Sequence, residues 1–258
     1  MLENRKALPA DESRWIAFRS GLIAPWEGFV YLRRQPRLWR YGVIPVVLNV
    51  FITGAALLLV LFEIVAFVAY LHPLFPSGWG GVAIEVLCAI GLLLLGVGVT
   101  FVLWTLLQGV LCGYFYSKLA REVEIQLGMS PDEMQDVSWA YQVADACRDA
   151  AALVAINGGF LLLQIVPVVG TIAGVAGSLY FDSLLFGEDF FDYPLSLRGR
   201  LRDEKKEFTR RHRFQTLGLG TVVLLANFVP ILGSIALTTA VVGAVFLHRR
   251  LVPQISDK

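Results

Sequence analysis

The chain has 258 residues, of which 56% are hydrophobic and only 17% are charged. Soluble domains carry about 25% charged residues, so this composition excludes an ordinary water-soluble protein. The formal net charge of +1 provides no basic field for nucleic acid, and three cysteines form no disulfide framework. We therefore expect an integral membrane protein with the lipid bilayer as its surroundings, without a nucleic-acid partner, a metal or another cofactor.

Long stretches without charge divide the sequence. Stretches free of Asp, Glu, Lys and Arg are 41–62, 86–117, 150–181 and 214–247. About 18 or more such residues are typical of a membrane-inserted helix. The sequence therefore predicts an all-α integral membrane protein.

The distribution of Lys and Arg predicts the topology of the first two stretches. Residues 1–40 contain eight basic residues, whereas residues 71–81 contain none. Because positively charged segments stay in the cytoplasm, the N-terminus is predicted to lie inside and the 71–81 loop outside. Two long transmembrane helices are therefore expected at about 41–70 and 82–117.

The third and fourth stretches do not fit simple crossings. The segment 182–213 contains eight basic residues, and one crossing by 150–181 would place them outside. Two full crossings would leave legs of about 15 residues, or roughly 22 Å, which is shorter than the hydrocarbon core of ~30 Å. We therefore predict partly inserted, re-entrant helical hairpins at about 150–181 and 214–247, with both termini cytoplasmic. A single kinked span in each stretch is the alternative.

An internal repeat supports the hairpins. Residues 165–173 recur as residues 228–236, and both copies contain Pro-x-x-Gly followed by Thr or Ser near the middle of an apolar stretch. Proline and glycine interrupt helices, so each copy is predicted to form a hairpin tip. Thr171 or Ser234 is expected to cap the returning helix.

Shorter motifs predict how the hydrophobic stretches are joined. Gly128 is expected to end a helix that continues the second span through residues 118–121. Ser130 and Glu133 have the spacing of a capping box, which predicts an amphipathic helix directly after them. Asp192 lies among aromatic residues ahead of the basic segment 198–213, where it could form a salt bridge to that segment or serve as a gate.

Motifs for ATP binding, zinc proteolysis and serine hydrolysis are missing from the sequence, so we expect no enzyme. Glu63 and Glu85 lie near the outer ends of the two spans, where they are either solvated or part of an ion relay. Polar residues within the apolar stretches could line a path or form interhelical hydrogen bonds. They are Asn49, Gln108, Asn157, Gln164 and Asn227.

The segment before the first span has the features of an anion site. A proline at the first helical position, Pro36, leaves the backbone N–H groups of Arg37, Leu38 and Trp39 without helical partners, at the positive end of the helix dipole. Together with the guanidinium groups of Arg37 and Arg40, these donors would suit a tetrahedral oxyanion. Anchoring on anionic lipid headgroups is the alternative.

These motifs resemble the CysZ-like sulfate permeases, which share a membrane domain family with the etoposide-induced proteins. The resemblance covers residues 21–250, between an N-terminal arm (1–20) and a tail (251–258). The stretches that carry it are 28–49, Asp192-Tyr193-Pro194, 210–214 and 229–232. It implies two spans with two pairs of partly inserted helices, in a homo-oligomer of the bacterial inner membrane. It also implies sulfate uptake for cysteine biosynthesis without ATP hydrolysis.

The resemblance also implies a location for the anion. The family's Gly-[Leu/Ile]-Arg-Arg motif aligns with residues 37–40, where Leu38 and Arg40 match. Arg37 replaces the glycine and Trp39 replaces the first arginine, which makes close backbone approach by an anion more difficult. A non-conducting membrane scaffold of the same family is the alternative function.

Overall fold

The computed structural model describes residues 13–71, 79–135, 137–164 and 168–252. The regular structure of these ranges is helical, apart from an isolated bridge between Gln135 and Arg198. The helices are α1 (Arg14–Arg34), α2 (Arg40–Leu71), α3 (Trp79–Gln126), α4 (Trp139–Leu163), α5 (Val169–Ser196), α6 (Arg202–Arg211), α7 (Arg213–Ala226) and α8 (Pro230–Leu251). The all-α prediction is therefore confirmed for the described ranges.

Residues 44–113 form one compact unit, made from most of α2 and α3. Large apolar side chains cover its outside, including Phe51, Phe62 and Leu94. Exposure of so many apolar side chains to water is unfavourable. This unit therefore requires a hydrocarbon environment, as expected of an integral membrane protein.

The remaining described residues, 13–43 and 114–252, form the second unit. Its core lies where α1, α5, α7 and α8 pack together, and most of α8 is buried there. The helices approach closely at glycines: a Cβ on Gly21 would lie 2.8 Å from the Leu219 nitrogen of α7, and one on Gly28 would lie 2.9 Å from the Gly243 nitrogen of α8. Small residues of this kind allow the close backbone packing seen in membrane helix pairs.

The helices around the first predicted hairpin are longer than its charge-free stretch. α4 has 25 residues and α5 has 28, or about 37 and 42 Å, whereas the legs counted from residues 150–181 have about 15 residues each. Both helices continue into charged sequence beyond the apolar stretch 150–181. α7 has only 14 residues, whereas α8 has 22. In the described part of the chain, five helices are long and apolar enough to cross a membrane.

The hairpin tips differ from the predicted capping. α8 begins at Pro230 with Val229 as its N-cap, so Ser234 lies one turn inside the helix. Thr171 likewise lies inside α5, whose N-cap is Val168. Proline has a helical φ and lacks only an N–H that the first helical position does not use, so α8 starts at the proline itself. Residues 165–167 of the first tip lie outside the described residues.

The joining segments follow the sequence motifs in part. α3 continues through residues 118–121, and Gly128 follows its end with φ +91°, as predicted. The Ser130 N–H donates to Glu133 Oε2 at 3.3 Å. Only a 3₁₀ turn follows this capping box, and α4 begins at Trp139, later than the sequence predicts. At the N-terminus, α1 begins at Arg14, within the segment assigned to an arm.

Candidate anion-binding site at the junction of α1 and α2

The backbone between α1 and α2 forms a short turn that carries the candidate site. α1 ends at Arg34, and Gln35 leaves the helical conformation with φ −124° and ψ 68°. The proline that follows disfavours helix in this residue. Pro36–Trp39 then forms a 3₁₀ turn, and α2 begins at Arg40.

The turn is attached to the second unit at several points. The Leu38 side chain is buried. The Trp39 ring packs edge-on against Phe29 of α1, with ring centroids 6.3 Å apart. A Cβ on Gly42 would lie 3.0 Å from the Thr238 Cβ of α8, so the first turn of α2 lies directly against α8. These contacts fix the backbone from which the arginines project.

The arginines of the turn lie on its exposed side. Arg37 and Arg40 are exposed, as are Arg33 and Arg34 at the end of α1. The Arg40 guanidinium lies 4.8 Å from the centroid of the Tyr41 ring, and its Nη2 donates to the Tyr41 hydroxyl oxygen at 2.9 Å. Among the described residues, no carboxylate forms an ion pair with these four arginines. Exposed guanidinium groups without an acid partner can bind an external anion.

The 3₁₀ geometry changes the set of backbone donors. The Leu38 N–H donates to the Gln35 carbonyl at 3.0 Å, so the expectation that it has no partner is wrong. In a 3₁₀ turn each N–H reaches the carbonyl three residues earlier, which uses a donor that an α-helical start would leave open. The candidate site therefore depends more on side chains than the sequence suggests.

Comparison with known proteins identifies the family. The family described as sulfate transporter CysZ/etoposide-induced protein 2.4 matches residues 24–237, which is most of the chain. The chain belongs to this family. The resemblance drawn from the sequence motifs is therefore confirmed.

Individual CysZ relatives are similar at modest identity. The sulfate transporter CysZ of Pseudomonas fluorescens strain Pf0-1 is 24% identical over 217 residues, covering 81% of this chain and 85% of the relative. That of Vibrio parahaemolyticus serotype O3:K6 is 21% identical over 248 residues, covering 86% and 93%. A third, from P. fluorescens Pf-5, is 27% identical over 151 residues, covering 56% of this chain and 60% of the relative. The chain therefore aligns with less than two thirds of this third relative.

Two of the polar residues inside the apolar stretches of this CysZ-family chain, Asn157 and Asn227, contact other residues of their own hairpin. Asn157 of α4 donates to Asp182 Oδ1 of α5 at 2.8 Å and to its own helix at the Leu153 carbonyl. Asn227 packs at the start of α8, where a Cβ on Gly233 would lie 3.1 Å from its Cα. The side chains of Asn49 and Gln108 lie outside the described set.

The acidic residues singled out in the sequence lie in different surroundings. Asp192 forms a salt bridge with Lys205 of α6, as one of its two predicted roles requires, and accepts a hydrogen bond from Ser196 at 3.1 Å. It lies within α5, which extends to Ser196, and not in a loop. Glu63 is exposed on α2 and approaches Gly96 of α3, where a Cβ would lie 3.5 Å from its Oε2.

A buried ionic cluster lies at the end of α3, and no sequence motif predicts it. Glu124 is fully buried, and its Oε2 accepts a hydrogen bond from Arg249 Nε at 2.7 Å. Arg249 Nη1 also donates to the Leu127 carbonyl at 2.7 Å. Arg198 Nη1 lies 2.9 Å from Glu124 Oε1 without hydrogen-bond geometry. The cluster joins α3 to α8 and to the segment after α5.

Further ion pairs connect the basic segments of the CysZ-family fold to its helices. Arg202, at the start of α6, pairs with Asp145 and Asp149 of α4. Arg250 of α8 pairs with Glu27 of α1. No local sequence motif indicates these pairs, because each joins residues that are distant in the chain.

Proposed function

We propose that the protein is a membrane permease for sulfate or a related oxyanion. The observation that supports this most is the group of exposed arginines at the α1–α2 junction, which have no acid partner among the described residues and project from an anchored turn. Two of them, Arg37 and Arg40, lie in the segment 37–40, which resembles the anion motif of the CysZ family. Arg37 and Arg40 supply positive charge, and Leu38 and Trp39 fix the turn.

The proposed biological role follows from the relatives. Proteins named sulfate transporter CysZ match this chain in several bacteria. We propose that it works in the bacterial inner membrane as a homo-oligomer and supplies sulfate for assimilation and cysteine biosynthesis. As the resemblance to the family implies, we propose that uptake proceeds without ATP hydrolysis.

We further propose two full spans, α2 and α3, with two re-entrant hairpins, α4–α5 and α7–α8. The charge-free part of α4 begins after Asp149 and covers 14 residues to Leu163, or about 21 Å. The charge-free part of α5 ends before Asp182, and α7 has 14 residues in total. All three apolar lengths are shorter than the hydrocarbon core of ~30 Å. The basic residues of 182–213 and both termini, residues 1–20 and 251–258, would then lie in the cytoplasm.

Sulfate flux into proteoliposomes tests the proposed function. The double substitution Arg37→Ala, Arg40→Ala should reduce the uptake of radiolabelled sulfate at least tenfold, because the anion loses both guanidinium partners. Arg210→Ala with Arg211→Ala is the matched control, since it removes two charges from α6 and should leave uptake unchanged. Expression and oligomer size should be unaffected in both variants.

Two results would contradict the proposal. Unchanged uptake in the Arg37, Arg40 double variant would show that these residues do not form the anion site. A wild-type protein that binds no sulfate at millimolar concentration, measured against chloride, would favour a non-conducting scaffold.

A further inference from the structure

Tyr41 is the polar neighbour of the candidate anion site. Its hydroxyl oxygen accepts a hydrogen bond from Arg40 Nη2 at 2.9 Å, while its ring lies under the Arg40 guanidinium at 4.8 Å. A tyrosine hydroxyl is both an acceptor and a donor. Since arginine can only donate, the hydroxyl hydrogen of Tyr41 is not used in this contact. The described residues provide no acceptor for it.

The position of Tyr41 is fixed by its neighbours in the chain. Gly42, the next residue, lies against Thr238 so closely that an added Cβ would lie 3.0 Å from the Thr238 Cβ. Leu38 is buried three residues earlier. Tyr41 itself is half-buried, and its ring lies beside the Arg40 guanidinium. A tyrosine has only two side-chain torsions, so its hydroxyl loses little conformational entropy when it binds a ligand.

We propose that Tyr41 is a specificity-determining residue whose hydroxyl donates a hydrogen bond to an oxyanion held by Arg37 and Arg40. This inference rests on the proposed function. An anion with several oxygens can accept from the Arg40 guanidinium at one oxygen and from the Tyr41 hydroxyl at another. A halide has a single centre and gains less from two donors at separate positions. Tyr41 thus favours a tetrahedral oxyanion over chloride.

Removal of the hydroxyl alone tests this role. Tyr41→Phe keeps the ring under Arg40 and deletes the donor. Hydrogen bonds to charged groups are stronger than those between neutral groups, so the dissociation constant for sulfate should rise about tenfold or more. The measurement is calorimetric titration of sulfate, and in a separate experiment of chloride, into the purified full-length protein in nanodiscs. Tyr41→Phe should weaken sulfate binding more than chloride binding, and an equal loss for both anions would contradict a role in specificity.

The chain offers a matched control. Tyr114 is an exposed tyrosine whose ring lies 4.4 Å from Lys118 Nζ, so it also pairs with a cation. Tyr114→Phe should leave sulfate binding unchanged. The melting temperatures of both variants should equal that of the wild type, which separates loss of a ligand contact from loss of structure.

The outcomes distinguish this inference from the proposed function. If Tyr41→Phe binds sulfate as tightly as the wild type while the Arg37, Arg40 double variant does not, the proposed role of Tyr41 is refuted and the proposed anion site is supported. If Tyr41→Phe and Tyr114→Phe weaken binding equally, the effect is not specific and the role of Tyr41 is again wrong. If the wild type binds no sulfate, both ideas fail.

Discussion

Arg249→Ala should destabilise the protein strongly because it leaves a buried carboxylate with one partner fewer. Glu124 is fully buried, and Arg249 provides its hydrogen bond at 2.7 Å. The same guanidinium donates to the Leu127 carbonyl. Arg198 would remain near Glu124, but only in ion-pair contact and without hydrogen-bond geometry.

The magnitude follows from the cost of an unpaired buried charge. Removal of one partner from a buried ion pair costs about 3–5 kcal/mol, and the remaining Arg198 places this case near the lower end, at about 3 kcal/mol. Glu124→Gln should destabilise the protein less than Arg249→Ala does. It leaves two arginines without a carboxylate, and their side chains are 20% and 22% exposed, so they can be hydrated by water. The Glu124 carboxylate that remains in Arg249→Ala is fully buried and cannot.

Thermal unfolding of the purified protein in detergent, followed by circular dichroism, measures this effect. A loss of 1 kcal/mol corresponds to about 2–4 °C for a chain of this size, so Arg249→Ala should melt about 6–12 °C lower. Arg210→Ala is the control, because its ion pair with Glu207 is largely exposed and such pairs contribute at most about 1 kcal/mol. Equal melting temperatures for Arg249→Ala and Arg210→Ala would refute the reasoning.

Two further substitutions probe helix packing and protonation. Gly220→Ala should lower the melting temperature, since the new Cβ would lie 2.6 Å from the Gly187 nitrogen and overpacking costs about 1–3 kcal/mol. Gly98→Ala is the control and should leave the melting temperature unchanged, because no atom lies within 4 Å of its new Cβ. Burial, and next the charge of Arg211, lower the pKa of His212. The unfolded chain therefore binds a proton at this histidine first as pH falls below about 6.5, so the contribution of His212 to stability is complete above that pH and decreases below it. His212→Gln should show a smaller decrease in melting temperature between pH 7 and pH 5, and an identical decrease would contradict this role.

The apolar helices could be predicted because a run of uncharged residues is visible in the local sequence. A helix in hydrocarbon cannot leave charge unpaired, so each charge-free stretch marks part of a membrane helix. α2 and α3 follow those stretches closely, and the extension of α3 through residues 118–121 was also foreseen. Gly128 ends that extension with a positive φ, which glycine adopts more readily than other residues.

Ion pairs between distant helices could not be predicted from the sequence. α4 includes Asp145 and Asp149, which the charge-free criterion places outside the hairpin and which both pair with Arg202 of α6. The sequence predicts an amphipathic helix in this segment, but the partner of its acids lies far along the chain. Glu124 escaped notice for the same reason, since Arg198 and Arg249 lie far along the chain.

The arginines of the candidate site could be predicted from the sequence. The backbone conformation of the turn that carries them could not. Proline at position 36 correctly indicated a helix start, but the chain forms a 3₁₀ turn before α2 and the Leu38 N–H is used within it. In this turn Leu38 is buried and Trp39 packs against Phe29. Those contacts belong to the fold and have no signature in residues 33–41.

The count of basic residues combines two classes that the structure separates. Arg198, Arg202, Arg249 and Arg250 bind acids of their own chain, so their charge joins helices and is already compensated. At the α1–α2 junction the arginines have no acid partner among the described residues, and their charge is available to a ligand or a headgroup. An anion binds less readily where an internal ion pair must break first, because the acid would be left buried and unpaired. Binding at the α1–α2 junction carries no such cost, whereas binding at the Glu124 cluster would, and this difference favours our proposal of Arg37 and Arg40 over the cluster.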